Sequence, residues 1–300
     1  MIVQNVIKIT VLIMFAVLFG ACIRSESVNN KNGIKIITSN FPLYDFARVI
    51  TGGKAEVAML LPPGVDSQYF NPTPRNIINF QHNDVFFHIG GGCDSWVDLM
   101  LRTVDNNNIR IITLTDCLLG AGADLGSDIH VWTSPRYAKL IVQIIADVLI
   151  EIDEANSEFY KTNAAEYIAK LDELDIALQK VSENAVRHTL IFGDRFPFHY
   201  LTEHYGFIHY SAFPGCTTDI EPSPATIAFL INKVRTENIP LVLQNEMPSG
   251  NFAQTIANEA SVKTLILHSC HNISRDEFLN NVTYLDLMMR NIEVLKEALW

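Results

Sequence analysis

The sequence predicts an α/β protein of two parallel-sheet lobes joined by one long α-helix. Three observations predict the architecture. Short runs rich in β-branched and aromatic residues alternate with helical segments from Ile34 to the C-terminus, and alternation at that spacing builds a parallel sheet covered on both faces. The stretch from Ser157 to Val186 contains neither Gly nor Pro, and its apolar residues recur at intervals of three and four, the mark of an amphipathic helix long enough to span a small domain. A chain of 300 residues that is 48% hydrophobic and 18% charged can bury the core that two domains require.

Taken in order, Gly33 to Thr38 reads as a first strand, and Pro42 to Ile50 as a helix that Gly52 and Gly53 stop. Ala55 to Leu61 is a second strand, Thr73 to Gln81 a helix, and Asp84 to Ile89 a third strand that runs into three glycines. Asp94 to Val104 is helical, Arg110 to Leu114 a fourth strand, Leu118 to Ser127 a Gly/Ala-rich loop, and Pro135 to Ile150 a helix. After the long helix the alternation resumes, with strands at Thr189–Phe192, Ile208–Ala212, Pro240–Gln244 and Lys263–Leu267. The intervening helices are Pro197–His204, Ser223–Asn238 and Gly250–Ala260, and Thr283–Leu299 closes the chain. The expected domains are a signal peptide at 1–21, a tether at 22–33, an N-terminal lobe at 34–156, a linking helix at 157–187 and a C-terminal lobe at 188–300.

The N-terminus reads as an export signal. Lys8 precedes an apolar run, Ile9 to Phe19, which ends in Gly20-Ala21-Cys22, the order a secretory signal requires. A Cys directly after Gly-Ala resembles the lipobox of bacterial lipoproteins, which implies that Cys22 becomes the lipidated first residue and that Ser25 to Lys31 forms a polar tether. The competing reading is an ordinary signal peptide cut nearby. Exported chains can oxidise their cysteines, so Cys93, Cys117, Cys216 and Cys270 have three full pairings open to them. Small buried thiols remain the plainer alternative. With 22 Lys and Arg against 33 Asp and Glu, the formal charge is −11, which disfavours a nucleic-acid partner.

Open parallel sheets bind ligands beyond the carboxyl ends of their strands. Four loops there carry chemistry: Pro62 to Pro74, Asp128 to Pro135, Gly193 to Phe198, and His268 to His271. These segments resemble the metal-binding solute-binding proteins of bacterial zinc and manganese ABC importers, over essentially the whole chain from Ile34 onward. The most specific pieces are Gly64-Val65-Asp66-Ser67 followed by Pro72-Thr73-Pro74, and Asp128-x-His130-x-Trp132-x-Ser134-Pro135. The long helix and Tyr205-Gly206 agree with them.

The resemblance implies one divalent cation held by four side chains, two from each lobe. His130 matches the second of these unchanged. Gln68 stands where the first, a His, belongs, and its carboxamide oxygen is a poor zinc ligand beside an imidazole. Asp194 is the candidate for the third ligand, with an internal ion pair to Arg195 as the alternative. His268 replaces the carboxylate at the fourth, and His271 can substitute for it if the loop turns back. Glu246 is read as a carboxylate that holds an imidazole, with a helix N-terminal role as the alternative. His82, His88, His188, His204 and His209 lack ligand spacing, and His199 lies too far inside its helix. The loop at 118–127 lacks the His/Asp-rich stretch that some zinc members of the family carry.

Neither His-Glu-x-x-His nor Gly-x-Ser-x-Gly occurs, and there is no phosphate loop, so an enzyme, the zinc-dependent hydrolase included, is the weaker reading. A lipoprotein impaired in metal binding, acting as an adhesin or accessory factor, is the other alternative, and Gln68 is the feature that sustains it. The expectation carried forward is an extracytoplasmic, lipid-anchored, monomeric receptor that takes Zn2+ (Mn2+ as the alternative) and delivers it to a membrane ABC permease. Zinc leads because imidazoles outnumber carboxylates among the candidates.

Overall fold

A computed structural model describes residues 33–104, 108–213, 215 and 221–300, apart from the Cys93 side chain. Cys22, the signal segment and Cys216 lie outside the described residues. Residues Ile34 to Trp300 form one compact unit.

The first sheet contains β1 (Lys35–Thr38), β2 (Glu56–Met59), β3 (Val85–His88) and β4 (Arg110–Thr113), all parallel in the order β2-β1-β3-β4. The second contains β5 (Thr189–Phe192), β6 (Ile208–Ser211), β7 (Leu241–Gln244) and β8 (Lys263–Ile266), parallel in the corresponding order β6-β5-β7-β8. Both lobes therefore repeat one topology. All four residues of β3 are buried, as expected for a central strand covered on both faces.

The helices of the first lobe are α1 (Phe41–Thr51), α2 (Pro74–Phe80), α3 (Ser95–Thr103), α4 (Leu114–Gly120) and α5 (Pro135–Ile152). The linking helix α6 (Ser157–Glu183) has 27 residues and is about 40 Å long at 1.5 Å per residue. Its buried stripe, Tyr160, Ala164, Tyr167, Leu171, Leu174, Leu178 and Val181, steps by four and three, and belongs to a core cluster that draws on both lobes. The second lobe adds α7 (His199–Tyr205), α8 (Pro224–Thr236), α9 (Phe252–Ala260), α10 (Arg275–Leu279) and α11 (Tyr284–Leu299).

Two elements differ from the sequence expectation. Helix α4 was not anticipated: the strand expected to reach Leu114 ends at Thr113, and the loop expected from Leu118 begins only after Gly120, because a helix there buries Leu114 and Leu118, one turn apart, with no exposure of either. The short helix α10 was not anticipated, although its capping box, Ser274 with Glu277, is a legible start signal. Three predicted helix starts move inward by one residue for a common reason. Thr73, Ser223 and Thr283 are N-caps whose side chains accept backbone N–H groups of the first turn.

Several bonds tie the lobes together around the strand ends. Asn272 Nδ2 donates to the carbonyls of Pro62 at 2.8 Å and Val65 at 2.7 Å. Phe41 N–H donates to His271 O at 3.2 Å, and Gly64 N–H to Ile273 O at 2.8 Å. Gly64 has φ of +81°, so a glycine is required where the first loop meets the second lobe. The buried Trp132 donates its indole N–H to Ser269 O at 2.8 Å, and Tyr284 donates its hydroxyl to Trp132 O at 2.6 Å. These bonds oppose a wide hinge motion between the lobes.

Candidate metal centre

Every candidate residue lies beyond the carboxyl end of a strand. Asp66 and Gln68 follow β2, Asp94 follows β3, and His130 comes after β4 and α4. Asp194 and Arg195 follow β5, Asn245 and Glu246 follow β7, and His268 to Asn272 follow β8. Residues of both lobes line a cleft, with Gln68, His130, Arg195, Glu246 and His271 among them.

His130 is the N-cap of a 3-10 turn, Val131–Thr133, and is 2% exposed. Asp128 Oδ1 accepts the His130 backbone N–H at 2.8 Å and lies 2.7 Å from the ring Nδ1. That contact assigns the ring proton to Nδ1 and leaves the Nε2 lone pair for a ligand, the arrangement by which a carboxylate orients a metal-binding imidazole. Burial pushes the Asp128 pKa up, but the hydrogen bonds and charge of His130 outweigh it and the carboxyl ends below its usual range.

His271 enters the same cleft from the other lobe. Cys270 has φ of +60°, an unusual conformation for a residue with a side chain, and it turns the loop back so that His271 lines the cleft. The His271 backbone N–H donates to Ser269 Oγ at 3.2 Å, and its ring Nε2 lies 3.2 Å from Asp94 Oδ1. Burial disfavours the charged ring, yet the Asp94 charge and hydrogen bond, helped by Glu246 and Asp66, raise the His271 pKa. Asp94 also accepts from Ser67 Oγ. The His130 and His271 rings stand 5.6 Å apart between centroids at 67°, and Trp132 packs edge-on against both.

The remaining predicted residues fall into two groups. Gln68 lines the cleft from the 3-10 turn Ser67–Tyr69, where its backbone N–H donates to Asp66 Oδ1 at 3.0 Å. Asp194 and His268 are not among the lining residues. Asp194 is 2% exposed. Its Oδ1 accepts from Arg195 N–H at 2.8 Å, Ser249 N–H at 3.1 Å and Ser249 Oγ at 2.9 Å, and its Oδ2 from Asn245 N–H at 3.3 Å. This carboxylate organises the loops after β5 and β7, and the expected side-chain pair with Arg195 does not form. His268 is clamped by Asn291, which accepts its N–H at 2.7 Å and donates to its carbonyl at 2.8 Å. The His268 Nδ1 accepts from Cys270 N–H at 3.0 Å, while Nε2 is buried without a partner. Glu246 lines the cleft but grips Ser269, at 2.8 Å from its N–H and 2.6 Å from its hydroxyl. Its Oε1 is 3.7 Å from His268 Nδ1, beyond hydrogen-bond range, so it reaches an imidazole only through Ser269, which carries His271.

Three contributors escaped the sequence reading. Asp94 and Asp128 each pin one nitrogen of a cleft histidine. The signal for Asp94 was its place after a strand end, and for Asp128 its spacing of two from His130. Arg195 is the third. Its guanidinium crosses the cleft to Asp66, with Nη2 at 2.5 Å from Oδ2, and also donates to Met247 O at 3.3 Å. Among the described residues, no three His, Cys, Asp or Glu side chains are grouped closely enough to hold a metal ion. Two described cysteines, Cys117 and Cys270, are free.

Residues 36–298 match the family described as zinc-uptake complex component A, periplasmic. The chain belongs to this family. Membership makes it the extracytoplasmic substrate-binding component of a zinc-uptake importer and not an enzyme. The family assignment agrees with individual relatives. The high-affinity zinc uptake system protein ZnuA of Bacillus subtilis is 28% identical, over 94% of each chain. The zinc-binding lipoprotein AdcA of Streptococcus pneumoniae is 29% identical over 97% of this chain, which spans only 61% of that relative's length. Among solved structures, the metal-dependent lipoprotein YcdH of Bacillus subtilis superposes with a TM-score of 0.76 at 28% identity, covering 89% of this chain and 100% of that one. The Zn(II)-bound ZnuA-like domain of Streptococcus pneumoniae AdcA gives 0.74 at 27% identity, covering 89% of this chain and 99% of that domain.

Proposed function

We propose that this member of the zinc-uptake family carries one zinc ion between His130 and His271, with the Gln68 carboxamide facing the same space, and passes it to a membrane permease. The observation that supports this most is the paired pinning of the two imidazoles. Asp128 fixes His130 through Nδ1 and Asp94 fixes His271 through Nε2, so each ring keeps its other nitrogen for coordination. The sequence-based quartet of Gln68, His130, Asp194 and His268 is the competing ligand set. Imidazole donors favour zinc over manganese.

Elemental analysis of purified protein, followed by chelator competition on single variants, tests the reading. His130→Ala and His271→Ala are expected to weaken zinc binding, and Asp194→Asn and His268→Gln to leave it within about twofold. The opposite pattern for His271 and His268 would move the ion to the competing set. Zinc absent from all preparations, and no binding on titration, would refute both.

The anchor is a separate part of the reading. Gly20-Ala21-Cys22 supports acylation of Cys22, as does the description of the AdcA relative as a lipoprotein. Cys22→Ser should release the protein from the membrane fraction, and unchanged retention would refute the anchor.

A further inference from the structure

Zinc sites close with four donors, and the cleft offers the ion two imidazoles, an amide and a cation. The carboxylates that line it are engaged. Asp66 accepts from Gln68 N–H through Oδ1 and pairs with Arg195 through Oδ2, and both Glu246 oxygens accept from Ser269. The Oδ2 atom of Asp94 has no partner but is itself buried, and Asp94 is not a lining residue. Arg195 lines the cleft with its side chain 11% exposed. Its Nη2 is used twice, its Nε is buried without a partner, and Nη1 donates to no described residue. A fixed guanidinium beside a divalent cation is repulsive unless an anion lies between them, and more so where water is scarce.

We propose that the ion is carried together with a small carboxylate, which completes the zinc coordination and is held by the Arg195 guanidinium. This rests on the zinc site proposed above. A carboxylate suits both roles. Its oxygens bind zinc, and the planar fork of an arginine matches a carboxylate with two parallel N–H bonds. The cargo class is then a zinc–carboxylate complex rather than the free ion.

The test uses malonate as probe, with free zinc held constant by a chelator buffer and chloride replacing malonate at equal ionic strength in the control. In the wild-type protein malonate should tighten zinc binding about tenfold, equivalent to about 1.4 kcal/mol. Native mass spectrometry should then show one zinc and one malonate per chain. In Arg195→Gln the malonate gain should fall below about twofold, and Arg195→Lys, which keeps the charge without the fork, should fall between. Circular dichroism establishes that each variant folds, and if Arg195→Gln does not, the wild-type ternary mass decides alone. Zinc binding that ignores malonate, with only the zinc adduct in the mass spectrum, overturns the co-ligand and leaves the zinc site standing. Equal malonate gains in wild type and Arg195→Gln overturn the role of Arg195. No zinc binding under either condition overturns the zinc site itself, and the co-ligand with it.

Discussion

Two arginine–carboxylate pairs sit in contrasting places, one in the cleft and one in the core. In the cleft, Arg195 reaches Asp66 across the lobes, and both side chains keep some exposure, 11% and 21%. In the core, the Asp45 side chain has none. Its Oδ1 takes Arg48 Nη2 at 2.7 Å, and its Oδ2 takes the Tyr167 hydroxyl at 3.2 Å and the Tyr284 N–H at 3.0 Å. Those partners come from α1, the linking helix and the C-terminal helix, so one carboxylate fastens three elements from both lobes. Asp45 has its partners built in, and Arg48, 35% exposed, can turn its other nitrogens to water, whereas Arg195 Nε is buried without a partner. Fully satisfied polar networks fix a structure. Partly satisfied ones at a cleft are where a ligand gains most by arriving.

That contrast is broken most forcefully at Asp45. Asp45→Ala leaves the Tyr284 N–H and the Tyr167 hydroxyl unpaired in the core and strips Arg48 of its partner. A loss of about 3 kcal/mol is expected, measured by urea unfolding. A loss below about 1 kcal/mol would mean that the fastening is dispensable. The pH dependence sharpens the point. Burial pushes the Asp45 pKa up, and its hydrogen bonds, including those from Arg48, do not fully compensate. A raised folded pKa means that the folded state holds the proton more tightly. The associated stability is fully present below the ordinary value near 3.8 and is lost as pH rises through the folded pKa. Asp45→Asn, which cannot ionise, should therefore lose less stability than wild type as pH is raised from 4 to neutrality. Parallel slopes would show that Asp45 does not titrate in that window.

How much of this was legible follows from the kind of physics involved. Strand and helix order depends on local periodicity, and the eight strands fall within the expected runs, seven of them trimmed by a residue or two at the ends and Thr189–Phe192 unchanged. The family motifs fixed His130 and the cleft, because loops at strand ends are predictable from element order. Long-range polar pairing was not legible. Nothing in Gly193-Asp194-Arg195 says that the acid turns inward to Ser249 and the base outward to Asp66. The choice between His268 and His271 depends on one left-handed residue, Cys270, and Cys carries no preference for that conformation. Asp45 was invisible as a fastening point because its partners are 122 and 239 positions away.

The next largest effect belongs to the cleft. His130→Ala removes an imidazole already oriented by Asp128, at a site that is polar on the cleft side. Zinc affinity should fall at least tenfold, about 1.4 kcal/mol, while Asp45 and its partners are untouched and the unfolding midpoint of the metal-free protein moves little. A chelator competition assay checks the first and thermal unfolding the second. Wild-type affinity in the variant would place the ion elsewhere. A collapse in metal-free stability would make His130 part of the fastening rather than the site.

The smallest expected effect is a gain, at Gln68. The side chain lines the cleft beside His130, and its turn is held by Asp66, which caps the Gln68 N–H. Replacing the carboxamide by an imidazole offers zinc a stronger donor without changing the backbone, because the capping bond is made by the main chain. Gln68→His should tighten zinc binding by severalfold, less than the loss at His130, since the new ring has no carboxylate of its own to orient it. The gain should also depend on pH, because a ligand histidine must lose its proton to bind. At pH 7.5 the variant should exceed wild type, and at pH 6, below the ordinary histidine pKa of about 6.5, the difference should shrink. Chelator competition at both values, on both proteins, measures it. Equal affinities throughout would show that position 68 stands outside the coordination sphere, and would leave an ion between His130 and His271 to find its remaining donors in solvent or in a bound anion.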